Sequence, residues 1–277
     1  MDDPRAAEVE SIAAFAFEGI LTRPPDPIAL VFLLRQFAAT DRDAIRDRLG
    51  EALTDALAQH TGDAAPAQRA AWLLLFREAA ALSSDERLAA AAVGLTDSLR
   101  RDWRSRASVA DAMYAVDACL RAADVNGDRA GALIAATIDE LELIVGTSYE
   151  PGEGIGDYAD HIRAAAALIT AYDVTGRLPY AMLAEELMQA SARLSAGRGF
   201  AIECEAARVF CRLAAVHDDE DYRAAAVIAP DANYRADASR MLTALSRRAR
   251  AEGAPIYGLA LSELLDVTVK SPDTYGH

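Results

Sequence analysis

The chain has 277 residues, of which 52% are apolar and 26% charged, and its formal net charge is −15. It is long and apolar enough to form a folded core and too apolar to be a disordered chain. An acidic surface of this kind disfavours nucleic acids and anionic membranes as partners. No run of about 18 apolar residues occurs, which predicts no membrane span. The acidic start Met1-Asp2-Asp3 is unlike a secretory signal, so we expect a cytoplasmic protein.

The residues that carry special chemistry are scarce and exclude several kinds of site. Cys119, Cys204 and Cys211 include no Cys-x-x-Cys pair, which favours buried, reduced cysteines. The four histidines lack the spacing of metal ligands. Lys270 is the only lysine, which disfavours Schiff-base chemistry. The sequence therefore predicts no metal and no cofactor.

Apolar residues recur at i, i+3, i+4 and i+7 along almost the whole chain, which predicts an all-α protein without strands. Six apolar, alanine-rich helices are expected to be buried on most sides, namely 26–39, 66–82, 107–124, 157–174, 200–216 and 254–268. Six helices with more charge are expected to keep one face in water, namely 5–22, 41–59, 84–103, 127–146, 178–195 and 219–250. Each inner helix is thus followed or preceded by an outer one.

The turns between inner and outer helices recur regularly, which predicts stacked helical hairpins. Successive turns begin 43, 43, 49 and 42 residues apart, at Thr40-Asp41-Arg42-Asp43, Ser83, Asn126, Thr175 and His217. Five residues into each turn we expect a large anchor residue, followed four residues later by a small residue that lets the second helix lie close to the first. Gly131 breaks the anchor column, which weakens the third copy. The pairs are Ile45 and Leu49, Leu88 and Ala92, Gly131 and Ala135, Tyr180 and Ala184, and Tyr222 and Ala226.

The segments 157–187 and 205–226 resemble the hairpins of six-hairpin (α/α) toroid proteins, through Asp157-Tyr158-Ala159-Asp160-His161 and Asp221-Tyr222-Arg223. Within that superfamily the chain is most similar to the helical part of bacterial thioredoxin-domain-containing proteins of the spermatogenesis-associated type. These are relatives of the N-acylglucosamine 2-epimerases and the six-hairpin glycosidases. The resemblance covers residues 155–268 by motif and the first half by period alone. The chain lacks the thioredoxin-like domain, so no redox role is implied.

The resemblance implies one domain over residues 1–277, an (α/α)6 toroid with a tail at about 269–277. In such a fold the N-terminal helix pairs with the C-terminal one. An open α-solenoid of HEAT type has a similar period and is the alternative.

Six-hairpin enzymes carry catalytic carboxylates and sugar-stacking rings where the inner helices begin, and the longest connection in this chain, 147–156, leads to such a point. Asp157 and His161 are candidates for proton transfer, with Glu153 and Tyr158 as ligand-binding neighbours. The structural alternatives are favoured over these roles: Asp157 as the cap of the helix, and His161 as a structural histidine.

The next inner helix supplies Glu203 and Glu205, which with Asp157 suit the carboxylate pair of glycoside hydrolysis. Positions two apart on a helix differ by about 200°, so at most one of these glutamates belongs to a site. Further ligand-binding candidates, each also explicable by core packing, are Asp111, Tyr114, Arg69, Trp72 and Tyr257.

Two functions remain open at this point. The first is a toroid that binds or processes a small polyhydroxylated, carbohydrate-like ligand through carboxylate acid–base chemistry, as a glycoside hydrolase or sugar epimerase would. The second is a non-catalytic helical scaffold that docks a protein partner or a second copy of itself. The low aromatic content of 6% favours the second, because sugar clefts use several stacking rings.

Overall fold

The computed structural model describes residues 4–20, 24–40, 43–60, 64–102, 108–225, 228–229 and 231–269. The chain divides into two compact units. We call Ala16–Tyr149 the N-terminal unit, and Met1–Phe15 together with Glu150–His277 the C-terminal unit. The first helix, α1 (Pro4–Ile20), contributes residues to both.

The N-terminal unit is built from three helical hairpins. Its elements are α2 (Pro27–Thr40), α3 (Asp43–Gln59), α4 (Pro66–Leu82), α5 (Glu86–Asp102), α6 (Val109–Arg121), a 3₁₀ segment (Ala122–Arg129) and α7 (Ala130–Ser148). Helix α4 lies between α2 and α6, and each of the three packs against the helix that follows it. The apolar helices are therefore the inner layer of this unit.

The C-terminal unit repeats this arrangement. Its elements are β1 (Tyr149–Glu150), β2 (Gly154–Ile155), α8 (Tyr158–Thr175), α9 (Leu178–Ser191), α10 (Phe200–His217), α11 (Glu220–Ala225), α12 (Tyr234–Leu245), α13 (Ala249–Glu252) and α14 (Ala254–Val269). Helix α10 lies between α8 and α14, with α9 packed on α8 and α12 packed on both α10 and α14. The Tyr257 hydroxyl donates to Glu8 Oε1 at 3.2 Å, so the N-terminal helix pairs with the C-terminal one, as predicted.

All six inner helices begin and end within three residues of their predicted bounds. The outer segment 219–250 differs, because it is broken into α11, α12 and α13. Proline has no backbone N–H to continue a helix, and Pro230 stands in this segment. Asn233 then starts α12 by accepting from Ala236 N at 3.0 Å. The prediction of no strands was also wrong in one detail, since β1 and β2 pair in a short ribbon.

The predicted anchor pairs Leu88 with Ala92 and Tyr180 with Ala184 are buried. The third pair was wrong, because Gly131 and Ala135 are exposed while Leu133 and Thr137 are buried instead. The 3₁₀ segment delays the start of α7 and shifts its buried face along the sequence. Asp41-Arg42, Ala226 and the predicted tail beyond residue 269 lie outside the described residues.

The three cysteines are buried and unpaired, as predicted. Burial raises the pKa of each thiol to about 12, which makes these side chains unreactive at neutral pH. Within the described residues, no helix is both long and apolar enough to cross a bilayer. Nor do three or more His, Cys, Asp or Glu side chains of the described ranges come together as metal ligands would.

Candidate functional site

Three loops precede the inner helices of the C-terminal unit, and we call residues 149–157, 192–199 and 246–253 the rim. The loops contact one another closely: Tyr158 N donates to Ala196 O at 3.2 Å. A Cβ added to Gly197 would lie 2.7 Å from Asp157 Cγ, and one on Gly253 would lie 3.2 Å from Phe200 Cε1. The N-terminal ends of α8, α10 and α14 are therefore bound into one surface, where helix dipoles favour carboxylates and other electron-rich groups.

Asp157 is the N-cap of α8 and forms a complete capping box with Asp160. Asp157 Oδ1 accepts from Ala159 N at 2.9 Å and from Asp160 N at 3.1 Å, while Asp160 Oδ2 accepts from Asp157 N at 3.0 Å. The cap satisfies backbone donors that would otherwise lack partners in the first turn. Asp157 is exposed on the rim, but one of its oxygens is committed to the helix.

His161 is fully buried beneath the first rim loop. Its Nδ1 lies 2.8 Å from Asp157 O, and Ile155 N donates to its Nε2 at 3.3 Å. The proposed role of His161 in proton transfer finds no support in these contacts, because both ring nitrogens are engaged with the backbone. They match the structural alternative instead.

Tyr158 is buried beneath a guanidinium group. The Cζ atom of Arg198 lies 4.3 Å from the centre of the Tyr158 ring, a cation–π contact, and Arg198 Nε donates to Leu194 O at 2.7 Å. Burial raises the pKa of Tyr158, the nearby charge of Glu203 raises it further, and Arg198 opposes both. The phenol is therefore a neutral group that anchors the second rim loop over the first.

Glu203 and Glu205 point to different neighbours, as helical geometry requires. Glu205 accepts from Arg163 of α8 through both oxygens, at 3.0 and 3.3 Å. Glu203 Oε2 accepts from Arg248 Nη1 of the third rim loop at 3.3 Å. Both glutamates are partly exposed at the N-terminal end of α10. Glu153, by contrast, is an exposed residue of the first rim loop.

Arginine–carboxylate pairs join the partly exposed faces of α8, α10 and α14, and we call them the charged stripe. The pairs are Arg163–Glu205, Arg208–Glu263 and Arg212–Asp173. Arg208 binds Glu263 through both oxygens, with its shortest contact at 2.7 Å. Bidentate contacts of this kind fix both planar groups in orientation.

The arginines of this stripe were not predicted, although their spacing along the sequence matches the repeat. Arg163 and Glu205 are 42 residues apart, and Arg35 and Glu78 of the N-terminal unit are 43 apart. These separations equal one repeat of the hairpin. An arginine on one inner helix with an acid one period later therefore predicts a contact between neighbouring inner helices.

Three of the other predicted ligand-binding residues lie in the core, which matches the core-packing alternative for each of them. Trp72 is buried and stacks on Phe76 with ring centres 5.8 Å apart. Arg69 is buried and donates to Ser98 Oγ at 2.6 Å, and the Tyr257 ring is buried between helices. None of the three presents a surface to a ligand.

The last two candidates, Asp111 and Tyr114, are partly exposed one turn apart on α6 of the N-terminal unit. The acidic run 218–221 follows the C-terminal end of α10, where Asp219 accepts from Asp221 N at 2.9 Å and so caps α11. This contact makes the run a solvated helix start.

A buried polar cluster lies at the other end of α10 and was not predicted. Glu185 of α9 is fully buried, and its Oε1 contacts both His217 Nε2 and the Tyr234 hydroxyl, the latter at 3.2 Å. The Tyr222 ring flanks His217 with ring centres 5.5 Å apart. Burial, followed by the charge of Glu185, raises the pKa of Tyr222 and of Tyr234.

Comparison with known proteins finds similarity in structure only. No protein-family model matches the chain. A search of curated proteins also finds no match. One similar solved structure is the GH76A alpha-1,6-mannanase from Salegentibacter sp. HEL1_6, with 12% identity and a TM-score of 0.64 over 94% of this chain and 98% of that chain. Another is an inactive variant of that enzyme, with two consecutive aspartates replaced by alanine, in complex with alpha-1,6-mannotetrose. It has 12% identity and a TM-score of 0.66 over 93% of this chain and 97% of that chain.

The fold is an (α/α)6 toroid. Both mannanase structures have this fold, which belongs to the six-hairpin glycosidase superfamily. The fold class predicted from the sequence is thereby confirmed, against the open solenoid. At 12% identity, the similarity establishes the fold and not the activity.

Proposed function

We propose that this protein binds a carbohydrate on the rim and charged stripe of its C-terminal unit. The observation that carries the proposal is the shared fold, over 93% of the chain, with a mannanase seen in complex with alpha-1,6-mannotetrose. The more specific resemblance to the helical part of thioredoxin-domain-containing proteins stays a prediction and adds no chemistry to this proposal.

The charged stripe is chemically suited to sugars. Guanidinium groups offer several donors in a fixed fork, and carboxylates offer acceptors, so an oriented pair can bind neighbouring hydroxyls of one sugar ring. The net charge of −15 disfavours anionic polysaccharides. An uncharged oligosaccharide of hexoses, such as an alpha-1,6-mannan fragment, is the ligand class that fits both observations.

If the ligand is also cleaved or epimerised, Glu203 is the carboxylate best placed to transfer a proton. It is held by one contact to Arg248, whereas Glu205 is bound by Arg163 through both oxygens. A carboxylate held in a bidentate ion pair is a poor proton donor. Asp157, across the rim, is the proposed second carboxylate, since glycoside hydrolysis needs two such groups roughly 5–10 Å apart.

Calorimetric titration with alpha-1,6-mannotetraose, beside gluco- and xylo-oligosaccharides of equal length, tests the binding proposal. We expect saturable binding of the mannoside that is weakened about tenfold by Glu205→Gln, since one lost charged hydrogen bond has about that effect. Glu51→Gln, an exposed surface position of the N-terminal unit, is the matched control and should bind as the parent does. Failure of every oligosaccharide to bind would refute the proposal.

Product analysis after prolonged incubation tests the reaction separately. If the protein is an enzyme, Glu203→Gln should lower turnover by about 100-fold or more with binding retained, the usual loss for a general acid or base. Binding without any product would favour a non-catalytic role. The burial of Trp72 and Tyr257 points in that direction, because two of the expected sugar-stacking rings are not available.

A further inference from the structure

The first rim loop is tied to the body of its unit through the ring of His161. The ring is fully buried, and its Nδ1 lies 2.8 Å from Asp157 O, at the start of its own helix. On the far side, Nε2 lies 3.3 Å from both Ile155 N and Glu153 O in the loop. One side chain therefore joins the beginning of α8 to two residues of the loop above it.

The chemistry of the two sides determines which nitrogen carries the proton. A carbonyl oxygen only accepts, so Nδ1 must donate to Asp157 O, which leaves the Nε2 lone pair of a neutral ring to accept from Ile155 N–H. A charged ring would instead donate from Nε2 to Glu153 O. The loop therefore supplies a partner for Nε2 in either state of the ring.

Gly154 shows how closely the loop lies on the ring. Its φ is +85°, and an added Cβ would lie 2.1 Å from His161 Nε2. Gly152, in the same turn, has a φ of +84° and open space where its Cβ would be. The two glycines share a left-handed backbone, and of the two Gly154 is the one pressed against the histidine.

The loop in turn sets the rest of the rim. Asp157 is its last residue, and the Asp157 carboxylate lies against Gly197 of the second rim loop. We propose that His161 is a positioning residue for carbohydrate binding, which acts through Nε2 by holding the first rim loop against the start of α8. This inference depends on the proposed function for its ligand, though not for its contacts.

The decisive test compares two replacements of the same side chain. The Asn side chain places its amide where Nδ1 is, whereas the longer Gln side chain reaches the position of Nε2. We expect His161→Asn to weaken alpha-1,6-mannotetraose binding about tenfold, the effect of about one lost buried hydrogen bond with its unpaired partner. His161→Gln should restore binding to within about threefold of the parent. Equal affinities of the Asn and Gln variants would overturn the proposal.

The glycines test the same contact from the loop side. Gly152→Ala and Gly154→Ala each place a side chain at nearly the same positive φ, so Gly152→Ala is the control for backbone strain, to which Gly154→Ala adds the collision with His161. We expect Gly154→Ala to weaken binding as much as His161→Asn does, and the variant with both replacements to bind only slightly more weakly than either one. The Gly152→Ala variant should bind clearly more tightly than the Gly154→Ala variant. Additive losses from Gly154→Ala and His161→Asn would contradict the proposal.

Amide hydrogen exchange keeps this inference separate from the proposed function. The backbone amides of residues 150–157 should exchange faster in His161→Asn than in His161→Gln, with or without a ligand. If the parent binds no carbohydrate but this difference appears, the proposed function fails and the positioning role stands. If the parent binds while the amides exchange equally in both variants, the positioning role fails.

Discussion

The two units use the same hairpins but secure them differently. In the N-terminal unit, Gly50, Gly94 and Gly127 face open space, as do the other described glycines of that unit. In the C-terminal unit, Gly154, Gly156, Gly197 and Gly253 are pressed against side chains. Close backbone approach is thus a property of the loops that lead into α8, α10 and α14.

One enclosed ion pair between inner helices of the C-terminal unit contrasts with a more solvated ion pair of the N-terminal unit. Side chains of Arg163 and Glu205 are each 16% exposed in the C-terminal unit, whereas Arg77 and Asp124 of the N-terminal unit are 32% and 53% exposed. A repeated hairpin can therefore serve as a scaffold with solvated contacts or as a rigid support with enclosed ones. Rigid support is what a binding site needs from its surroundings.

Alkaline pH should have the largest effect, and it should act on the C-terminal unit. Burial raises the pKa of five tyrosines there, namely Tyr158, Tyr172, Tyr222, Tyr234 and Tyr257. Unfolded tyrosine titrates at about pH 10. Below that pH the tyrosines are neutral in both the folded and the unfolded chain, so the stability they contribute is fully present. Above that pH the unfolded chain loses protons that the folded chain keeps, and the free energy of unfolding therefore falls.

Urea unfolding from about pH 8 to pH 11, followed alongside tyrosinate absorbance, measures this effect. Hydrogen exchange at the upper pH values should show the C-terminal unit losing protection before the N-terminal unit. Tyrosinate absorbance that appears near pH 10 without any loss of stability would contradict the burial of these phenols.

Removal of the buried carboxylate should come next in size. Glu185→Ala leaves His217 and the Tyr234 hydroxyl without their shared acceptor, and we expect a loss of about 3 kcal/mol in the free energy of unfolding. Chemical denaturation measures it. Glu186→Ala, at the next and partly exposed position of α9, should lose less than about 1 kcal/mol, and equal losses would argue against an enclosed cluster.

Two glycines offer a direct test of the difference in packing. Gly127 and Gly156 both have a φ of +54°, but an added Cβ meets nothing at Gly127 and lies 2.1 Å from Asp160 Oδ2 at Gly156. We expect Gly127→Ala to cost about 1 kcal/mol from backbone strain, and Gly156→Ala about 2 kcal/mol because it also disturbs the capping box. Thermal and urea unfolding of both variants measure the two costs, and equal values would remove the distinction between the units.

The smallest effect concerns the ion pairs themselves. Double-mutant cycles with Arg163→Met and Glu205→Gln should give a coupling of about 1.5 kcal/mol, against about 0.5 kcal/mol for Arg77→Met and Asp124→Asn. In about 1 M salt the second coupling should vanish and the first should persist, because enclosed charges are screened less. If both coupling energies fell by the same fraction in about 1 M salt, the two pairs would be equally solvated.

Much of the fold could be predicted from the sequence because its determinants are local. The bounds of the inner helices follow from apolar periodicity and from turn residues beside them, and the Asp157 cap follows from an acid placed directly before an apolar run. The outer segment 219–250 was harder, since a helical pattern on both sides of Pro230 concealed the break. The shifted face of α7 depended on a 3₁₀ segment that has no strong sequence signal.

The candidate site was only partly predictable, because its contacts join distant parts of the chain. Glu185 is 32 residues from His217 and 49 from Tyr234, and the cluster exists only once α9, α10 and α12 have packed. For His161 the sequence favoured the structural role and left the catalytic one open. Its burial and its contacts with Ile155 and Glu153 distinguish them in the structure.

The placement of the first helix has a consequence for synthesis on the ribosome. Glu8 meets Tyr257, and Arg5 Nη2 donates to Ser239 Oγ at 2.6 Å, so the partners are separated by 249 and 234 residues. Helix α1 must therefore wait until α12 and α14 have been synthesised before it can make these contacts. Until then it remains open to chaperones, and the C-terminal unit can be completed only after the segment carrying α14 has been released far enough to fold back on α1.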